Sequence, residues 1–192
     1  MKKILIGTHN TGKFKEISYL LSKSIKKISP IKLKIKSPKE TGKTFSSNAQ
    51  LKAKYFSKFT KLPVISDDSG ICIKALKNQP GIYSARWAKK HGSFSNAMKF
   101  ILKKIKKKKD RSAVFVCSLS FKYPRKKIIT VVGKIKGKIS HDMRGVNGFG
   151  YDPIFIPNSE ILTFGEMTKS SKISMDHRYI AFKKLKKKIR TL

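Results

Sequence analysis

Apolar and polar positions along the chain follow two periods in turn. Ile4 to Gly7 is a short apolar run closed by glycine, the pattern of a buried first strand. From Thr11 to Leu21 the residues Phe14, Ile17, Leu20 and Leu21 recur at helical spacing and predict a helix. Leu33, Ile35 and Ser37 alternate with lysine, the period of a half-exposed second strand. Thr44 precedes Phe45, Asn48, Leu51, Tyr55 and Phe56, which predicts a capped helix running to about Phe59. Pro63 opens a third strand over Val64–Asp68, with Ile71–Ala75 expected to pair nearby. Ser95–Ile105 reads as a further helix that leads into a lysine-rich turn through Lys109. Ala113–Phe121 and Ile128–Ile139 are two longer β-type runs, joined by Tyr-Pro-Arg and expected to pair antiparallel. A glycine-rich loop, Gly145–Gly150, precedes Asp152–Ile156, expected as another strand. Tyr179–Ile189 closes the pattern as a basic amphipathic helix with Ile180, Phe182, Leu185 and Ile189 facing inward. No repeat or long linker divides the chain, so the pattern predicts a single mixed α/β domain over 1–192.

Composition changes this picture little. The 192 residues are 39% hydrophobic and 10% aromatic, enough for a packed core and against wholesale disorder. No run approaches the roughly 20 apolar residues of a membrane-spanning helix. The basic N-terminus turns polar after about four apolar residues, too short for a signal peptide, so a soluble cytoplasmic protein with no membrane partner is expected. Cys72 and Cys117 form no disulfide framework and match no metal-ligand spacing.

Charge demands a choice. Forty-six basic against ten acidic residues give a net charge of +36, which alone would point to a nucleic-acid partner. Only six of the basic residues are arginine, however, and isoleucine outnumbers alanine 23 to eight. Lysine and isoleucine rising together look like AT-rich coding drift filling tolerant surface positions, whereas phosphate-reading grooves favour arginine forks and stacked aromatics. The excess is read as a solvated surface with no specific nucleic-acid partner. A nucleic-acid-binding protein that uses the lysine-rich surface is the alternative.

Four islands carry chemistry. Gly7-Thr8-His9-Asn10-Thr11-Gly12-Lys13 lies between the first strand and the first helix. A glycine-containing turn there aims backbone N–H groups at an anion, and Lys13 adds a point charge. The island nearly matches the G-x-x-x-x-G-K-[ST] phosphate loop, but Phe14 replaces the hydroxyl residue that would hold Mg²⁺, which argues against that NTPase machine. Ser66-Asp67-Asp68-Ser69-Gly70 ends the expected third strand, at the edge where open α/β sheets gather ligands. Adjacent strand residues point to opposite faces, so one carboxylate can serve a metal or water while the other is held by the scaffold. Hard oxygen ligands beside phosphate favour Mg²⁺, with Glu40 the nearest further candidate. An ordinary Asp-Ser-Gly turn would read the same.

Val146-Asn147-Gly148-Phe149-Gly150-Tyr151-Asp152-Pro153 offers two aromatic rings for stacking on a flat base, and Asp152 for a base or sugar edge. Both rings could equally be core residues at a tight turn. Lys172 with Asp176-His177-Arg178 precedes the last expected helix, and an arginine in so arginine-poor a chain is informative because its planar fork reads a carbonyl or phosphate bidentately. His91 and His141 are read as structural or surface residues.

In order, these islands resemble the Ham1-like family of inosine/xanthosine triphosphate pyrophosphatases. The resemblance runs through Thr8-His9-Asn10-Thr11-Gly12-Lys13, Glu40-Thr-Gly-Lys-Thr-Phe-Ser-Ser-Asn48-Ala-Gln-Leu-Lys52-Ala and Leu62-Pro-Val-Ile-Ser-Asp-Asp68-Ser-Gly70. It continues through Pro80-Gly-Ile-Tyr-Ser-Ala-Arg86, Gly148-Phe-Gly-Tyr-Asp-Pro-Ile-Phe155 and Lys172 with His177-Arg178. It implies hydrolysis of the non-standard purine nucleoside triphosphates ITP, dITP and XTP to monophosphate and pyrophosphate with Mg²⁺, which cleanses the nucleotide pool. It also implies a homodimer and an elongated mixed α/β sheet flanked by helices, with two lobes around a central cleft. Carried over by motif, Asp68 would be the catalytic carboxylate and, with Glu40, a metal ligand, Asp67 lying close by. Thr8, His9, Asn10, Thr11, Gly12, Lys13, Lys52 and Ser69 would hold the triphosphate or line its entrance. Phe149 would stack on the base beside Gly150, Tyr151 and Asp152, while Lys172, His177 and Arg178 would read the 6-oxo edge. The chain departs from the family's Ser-His-Arg-Gly pattern with Asp176 and Tyr179, and from its small polar residue at His9.

Overall fold

The structure is a computed structural model and describes residues 2–189. Seven strands and six α-helices are found among them, with strand order β2-β1-β3-β5-β6-β7 and β4 attached to β3. The fold is mixed α/β, as the periodicity predicted. The chain divides into two compact units, one holding the residues up to Asp68, Cys117–Gly133 and Arg178 onward, the other Ser69–Val116 and Lys134–His177. Among the described residues no helix is long and apolar enough to cross a membrane.

In the first unit β1 (Lys3–Ile6) runs parallel to β2 (Lys26–Ile28) and to the start of β3 (Val64–Ile73). The period of two sends Ile4 and Ile6 into one core and Leu5 into another with Phe56 and Val64. The larger core takes Ile17 and Leu21 from α1 (Thr11–Leu20) and its end, and Ala181, Phe182 and Leu185 from α6 (His177–Lys188). Helix α2 (Phe45–Lys58) begins at Thr44 with a capping box in which Thr44 and Ser47 satisfy each other's backbone N–H groups.

The expected strand over Leu33–Ser37 is not formed, and the short edge strand lies earlier, at Lys26–Ile28. Leu33 and Ile35 both donate backbone N–H groups to Pro30 O, Ser29 Oγ accepts from Lys32 N, and Lys34 has φ +56°. These bonds close a turn, and the alternation with lysine reflected only how common lysine is. Strand β3 does not stop at Asp68 either. It runs through Asp67-Asp68-Ser69-Gly70 to Ile73, absorbing most of Ile71–Ala75, so the carboxylate pair sits mid-strand rather than at a sheet edge.

The second unit packs α4 (Phe94–Ile105, capped by Ser93) through Ala97, Met98, Ile101 and Ile105 on Ile71, Ile73, Phe115, Phe155 and Phe164. It also holds β4 (Gln79–Pro80), α3 (Ser84–Lys90) and α5 (Lys169–Ile173). Strands β5 (Ser112–Lys122) and β6 (Ile128–Ile139) are neighbours in the sheet, close to the bounds read from sequence. Pro153, which has no N–H, falls in a 3₁₀ turn over Asp152–Ile154, so the strand expected there shrinks to β7 (Phe155–Pro157), antiparallel to β6.

Candidate active site

In the first unit, two neighbouring carboxylates on β3 take opposite sets of partners. Asp67 is fully buried, with Lys13 Nζ 3.1 Å and Arg178 Nη2 3.5 Å from its Oδ2. Arg178 also pairs with Glu16 of α1 through Nη1. Burial would raise the Asp67 pKa, but the charges of Lys13, Arg178 and Lys52 and the hydrogen bond from Lys13 hold it well below the usual carboxylate range.

Asp68 faces α2. That helix turns Asn48, Ala49, Lys52, Ala53 and Phe56 inward, so a buried stripe carries two polar residues one turn apart. Asn48 Nδ2 donates to Asp68 Oδ2 at 3.1 Å, while Asn48 Oδ1 accepts from Gly42 N at 2.8 Å, which ties the segment carrying Glu40 to the same place. Lys52 Nζ donates to Glu40 Oε1 at 2.6 Å and lies 3.8 Å from Asp68 Oδ1. Burial lifts the Asp68 pKa and Glu40 adds to the rise, outweighing the opposite pull of Lys52, Lys13 and the Asn48 hydrogen bond. Burial alone would lower Lys52, but Asp67, Asp68 and Glu40 raise it, so the group is firmly an ammonium.

The Gly7–Lys13 loop is built around the same strand. Gly7 N donates to Ile65 O at 2.7 Å, and a Cβ on Gly7 would meet Ser66 Oγ at 2.2 Å, so only glycine lets the loop approach. Thr8 Oγ1 accepts from Asn10 N, and Asn10 caps α1 by accepting from Lys13 N at 2.9 Å. The amides of Thr11 and Gly12 have no intrahelical acceptor and stand at the positive end of the helix dipole. His9 is exposed and its Nε2 bonds to Ile35 O. Among the described residues no group of three or more His, Cys, Asp or Glu forms a metal cage. The pair Glu40–Asp68 still fits Mg²⁺, which is commonly held by one or two carboxylates together with substrate phosphates.

The second unit carries the aromatic island. Asp152 Oδ2 accepts from Phe149 N at 2.8 Å and from Lys172 Nζ at 2.5 Å, and the Lys172 ammonium lies 5.0 Å from the centre of the Phe149 ring. Gly148 has φ +73°, and a Cβ there would meet Asp152 Oδ2 at 2.1 Å. Asp152 therefore holds the loop, and half-buried Phe149 is the ring the loop presents. Gly150 follows with φ +70°. Tyr151 differs from the expectation of a stacking ring: it is buried, edge-on to Phe94, and its hydroxyl donates to Ser84 O at 2.9 Å. His177 is buried flat against Phe115, with ring centres 4.8 Å apart. Ser69, next to Asp68 on β3, is half-buried.

The arrangement thus sorts the expected residues. Asp68, Glu40 and Lys52 come together, as do Lys13, Asp67 and Arg178, and Phe149, Asp152 and Lys172 form a third group. Lys172, His177 and Arg178 are all buried, and the Arg178 guanidinium pairs with Glu16 and Asp67. Asn48 had no role in the sequence reading, although its place four residues before Lys52 was the signal.

The Ham1 family profile matches residues 4–188. The chain belongs to the Ham1 family. A Caulobacter vibrioides protein named dITP/XTP pyrophosphatase is 41% identical over 186 residues, covering 96% of each chain. A Dictyoglomus thermophilum protein of the same name is 40% identical, covering 95% of this chain and 92% of its own. Among solved structures, the Staphylococcus aureus Ham1 protein superposes with a TM-score of 0.87 at 34% identity, covering 98% of both chains. The Coxiella burnetii HAM1 protein gives 0.88 at 33% identity, with both chains covered completely. Of this Ham1 chain's departures, Tyr179 lies inside α6, half-buried, where a helix has no need of glycine. Asp176 is fully buried, with its N–H donated to Lys172 O.

Proposed function

We propose that this Ham1 protein hydrolyses ITP, dITP and XTP to the nucleoside monophosphate and pyrophosphate. The observation that carries the reading is the Asp68–Glu40 pair with Lys52 between them, beside a capped helix start and Lys13. Attack at the α-phosphorus needs an oriented water, charge neutralisation and a held leaving group. Asp68, made more basic by burial and fixed through one oxygen by Asn48, takes the proton from the attacking water. Asp68 and Glu40 would hold Mg²⁺, which would acidify water and neutralise phosphate charge. Thr11 and Gly12 amides, Lys13 and Lys52 bind the phosphates, with Thr8, Asn10 and Ser69 shaping the same loop and strand and His9 at its rim.

Phe149 stacks on the base while Asp152 keeps its loop in place. Lys172, His177 and Arg178 meet the 6-oxo acceptor of hypoxanthine or xanthine, where adenine offers an amino donor. Facing donor with donor leaves a buried polar group unpaired, at about 1–3 kcal/mol, which disfavours ATP. Arg178 also pairs with Asp67. The enzyme works in the cytoplasm as a homodimer on small-molecule nucleotides.

The test is pyrophosphate release from ITP, XTP, GTP and ATP with Mg²⁺ and with chelator. Metal-dependent release from ITP and XTP, with ATP nearly inert, is expected. Orthophosphate as the product would refute the cleavage position. No turnover of any purine triphosphate would overturn the reading and turn attention to salt-dependent binding of nucleic acid by the lysine-rich surface.

A further inference from the structure

The Lys52 ammonium sits where a cation is called for. It donates to Glu40 Oε1 at 2.6 Å and lies 3.8 Å from Asp68 Oδ1, the two oxygens offered by the proposed metal ligands. Its stem is fixed on the buried face of α2 and it is 5% exposed, so the ammonium can exchange partners only within its own reach. Asn48 occupies the other oxygen of Asp68, which leaves Oδ1 as the oxygen that Lys52 approaches. An oxygen that accepts a close ammonium hydrogen bond does not offer the same lone pair to a metal, and a divalent ion beside the ammonium meets its charge directly.

We infer that Lys52 is a stand-in cation, closing the Glu40–Asp68 pair to free divalent metal until a triphosphate arrives to take the ammonium. This rests on the metal-ligand reading of Glu40 and Asp68 given above. Metal and triphosphate then bind as a coupled pair: each strengthens the other by one common factor, as linkage requires. A nucleotide-free enzyme would hold its carboxylates neutralised rather than collect divalent ions from solution.

The test is Mn²⁺ binding to the nucleotide-free protein, read by electron paramagnetic resonance and titration calorimetry, with folding checked by circular dichroism. Lys52→Met and Lys52→Gln are expected to bind Mn²⁺ more tightly than the unaltered protein, by a factor on the order of 10–100. Lys52→Arg, which keeps the cation, is expected to stay within about threefold of the parent, below that coupling range. Adding Asp68→Asn to Lys52→Met is expected to remove the gain. No gain in either neutral variant, with Mn²⁺ binding still abolished by Asp68→Asn alone, overturns the stand-in role and leaves the metal ligands standing. A gain that survives Asp68→Asn means the ion binds elsewhere, and both readings fall.

Discussion

Replacing Asp67 and replacing its neighbour Asp68 should have opposite consequences, although both are aspartates on one strand. Asp67 is fully buried between Lys13 and Arg178. Asp67→Asn leaves those two cations facing a neutral amide at a fully buried position. Removing one partner of a buried ion pair costs roughly 3–5 kcal/mol. At about 2–4 °C per kcal/mol for a chain of this size, the melting temperature should fall by roughly 6–20 °C. The pH dependence has a definite sign. A carboxyl held below its ordinary value of 3.8 contributes stability that is fully present above that value and drains away as pH falls beneath it. Asp67→Asn should therefore melt low at pH 7 and lose less than the parent on further acidification. Asp68 is the reverse case, since burial penalises its charged form. Asp68→Asn removes a charge that burial penalises and leaves an amide oxygen that can still accept from Asn48, so it should melt within about 1 kcal/mol of the parent and lose metal-dependent turnover. Calorimetric melts of both variants between pH 3 and pH 7 provide the measurement. If the two fall equally, or if Asp67→Asn melts like the parent, the division of labour across β3 is refuted.

Phe149→Ala should lower kcat/KM for ITP by on the order of 10-fold or more, since stacking on an aromatic ring is worth roughly 1–3 kcal/mol per base, with melting hardly changed because the ring is half-buried. Steady-state kinetics beside a melt would contradict this if kcat/KM held. Tyr151→Phe should do the opposite: it strips the bond to Ser84 O and costs about 1–2 kcal/mol in denaturant unfolding, yet leaves kcat/KM near the parent value. A large kinetic loss there would return Tyr151 to the base site. Gly148→Ala drives a Cβ into the Asp152 carboxylate at a φ of +73°, so KM for ITP should rise severalfold as the Phe149 loop is displaced. An unchanged KM would show that Asp152 does not set the loop.

Much of the first unit could be read from the chain because its signals are local. The capping threonine, the glycine turn and the paired aspartates each declare themselves within a few residues, and the period-two argument anticipated that Asp67 and Asp68 would part to opposite faces. The missing pieces are non-local or masked by lysine. Glu16 and Arg178 lie 162 positions apart, and nothing near either residue foretells the pair. Two lysines in Lys26-Lys27-Ile28 hid an edge strand, while alternating lysines gave a turn at Pro30 the look of one. An aromatic next to glycine reads alike whether the ring is presented or buried, and the loop contains one of each in Phe149 and Tyr151. Asn48 was visible on a helix, but its task depends on Asp68 and Gly42 meeting it from other segments.

The central claim is that a water prepared at Asp68 attacks the α-phosphorus of a 6-oxopurine triphosphate. Turnover of ITP with Mg²⁺ in ¹⁸O-labelled water, followed by phosphorus NMR and mass spectrometry of both products, tests it most directly. One ¹⁸O in inosine monophosphate and none in pyrophosphate is expected, with neither product formed by Asp68→Asn. Label in the pyrophosphate, or labelled orthophosphate, would contradict the account.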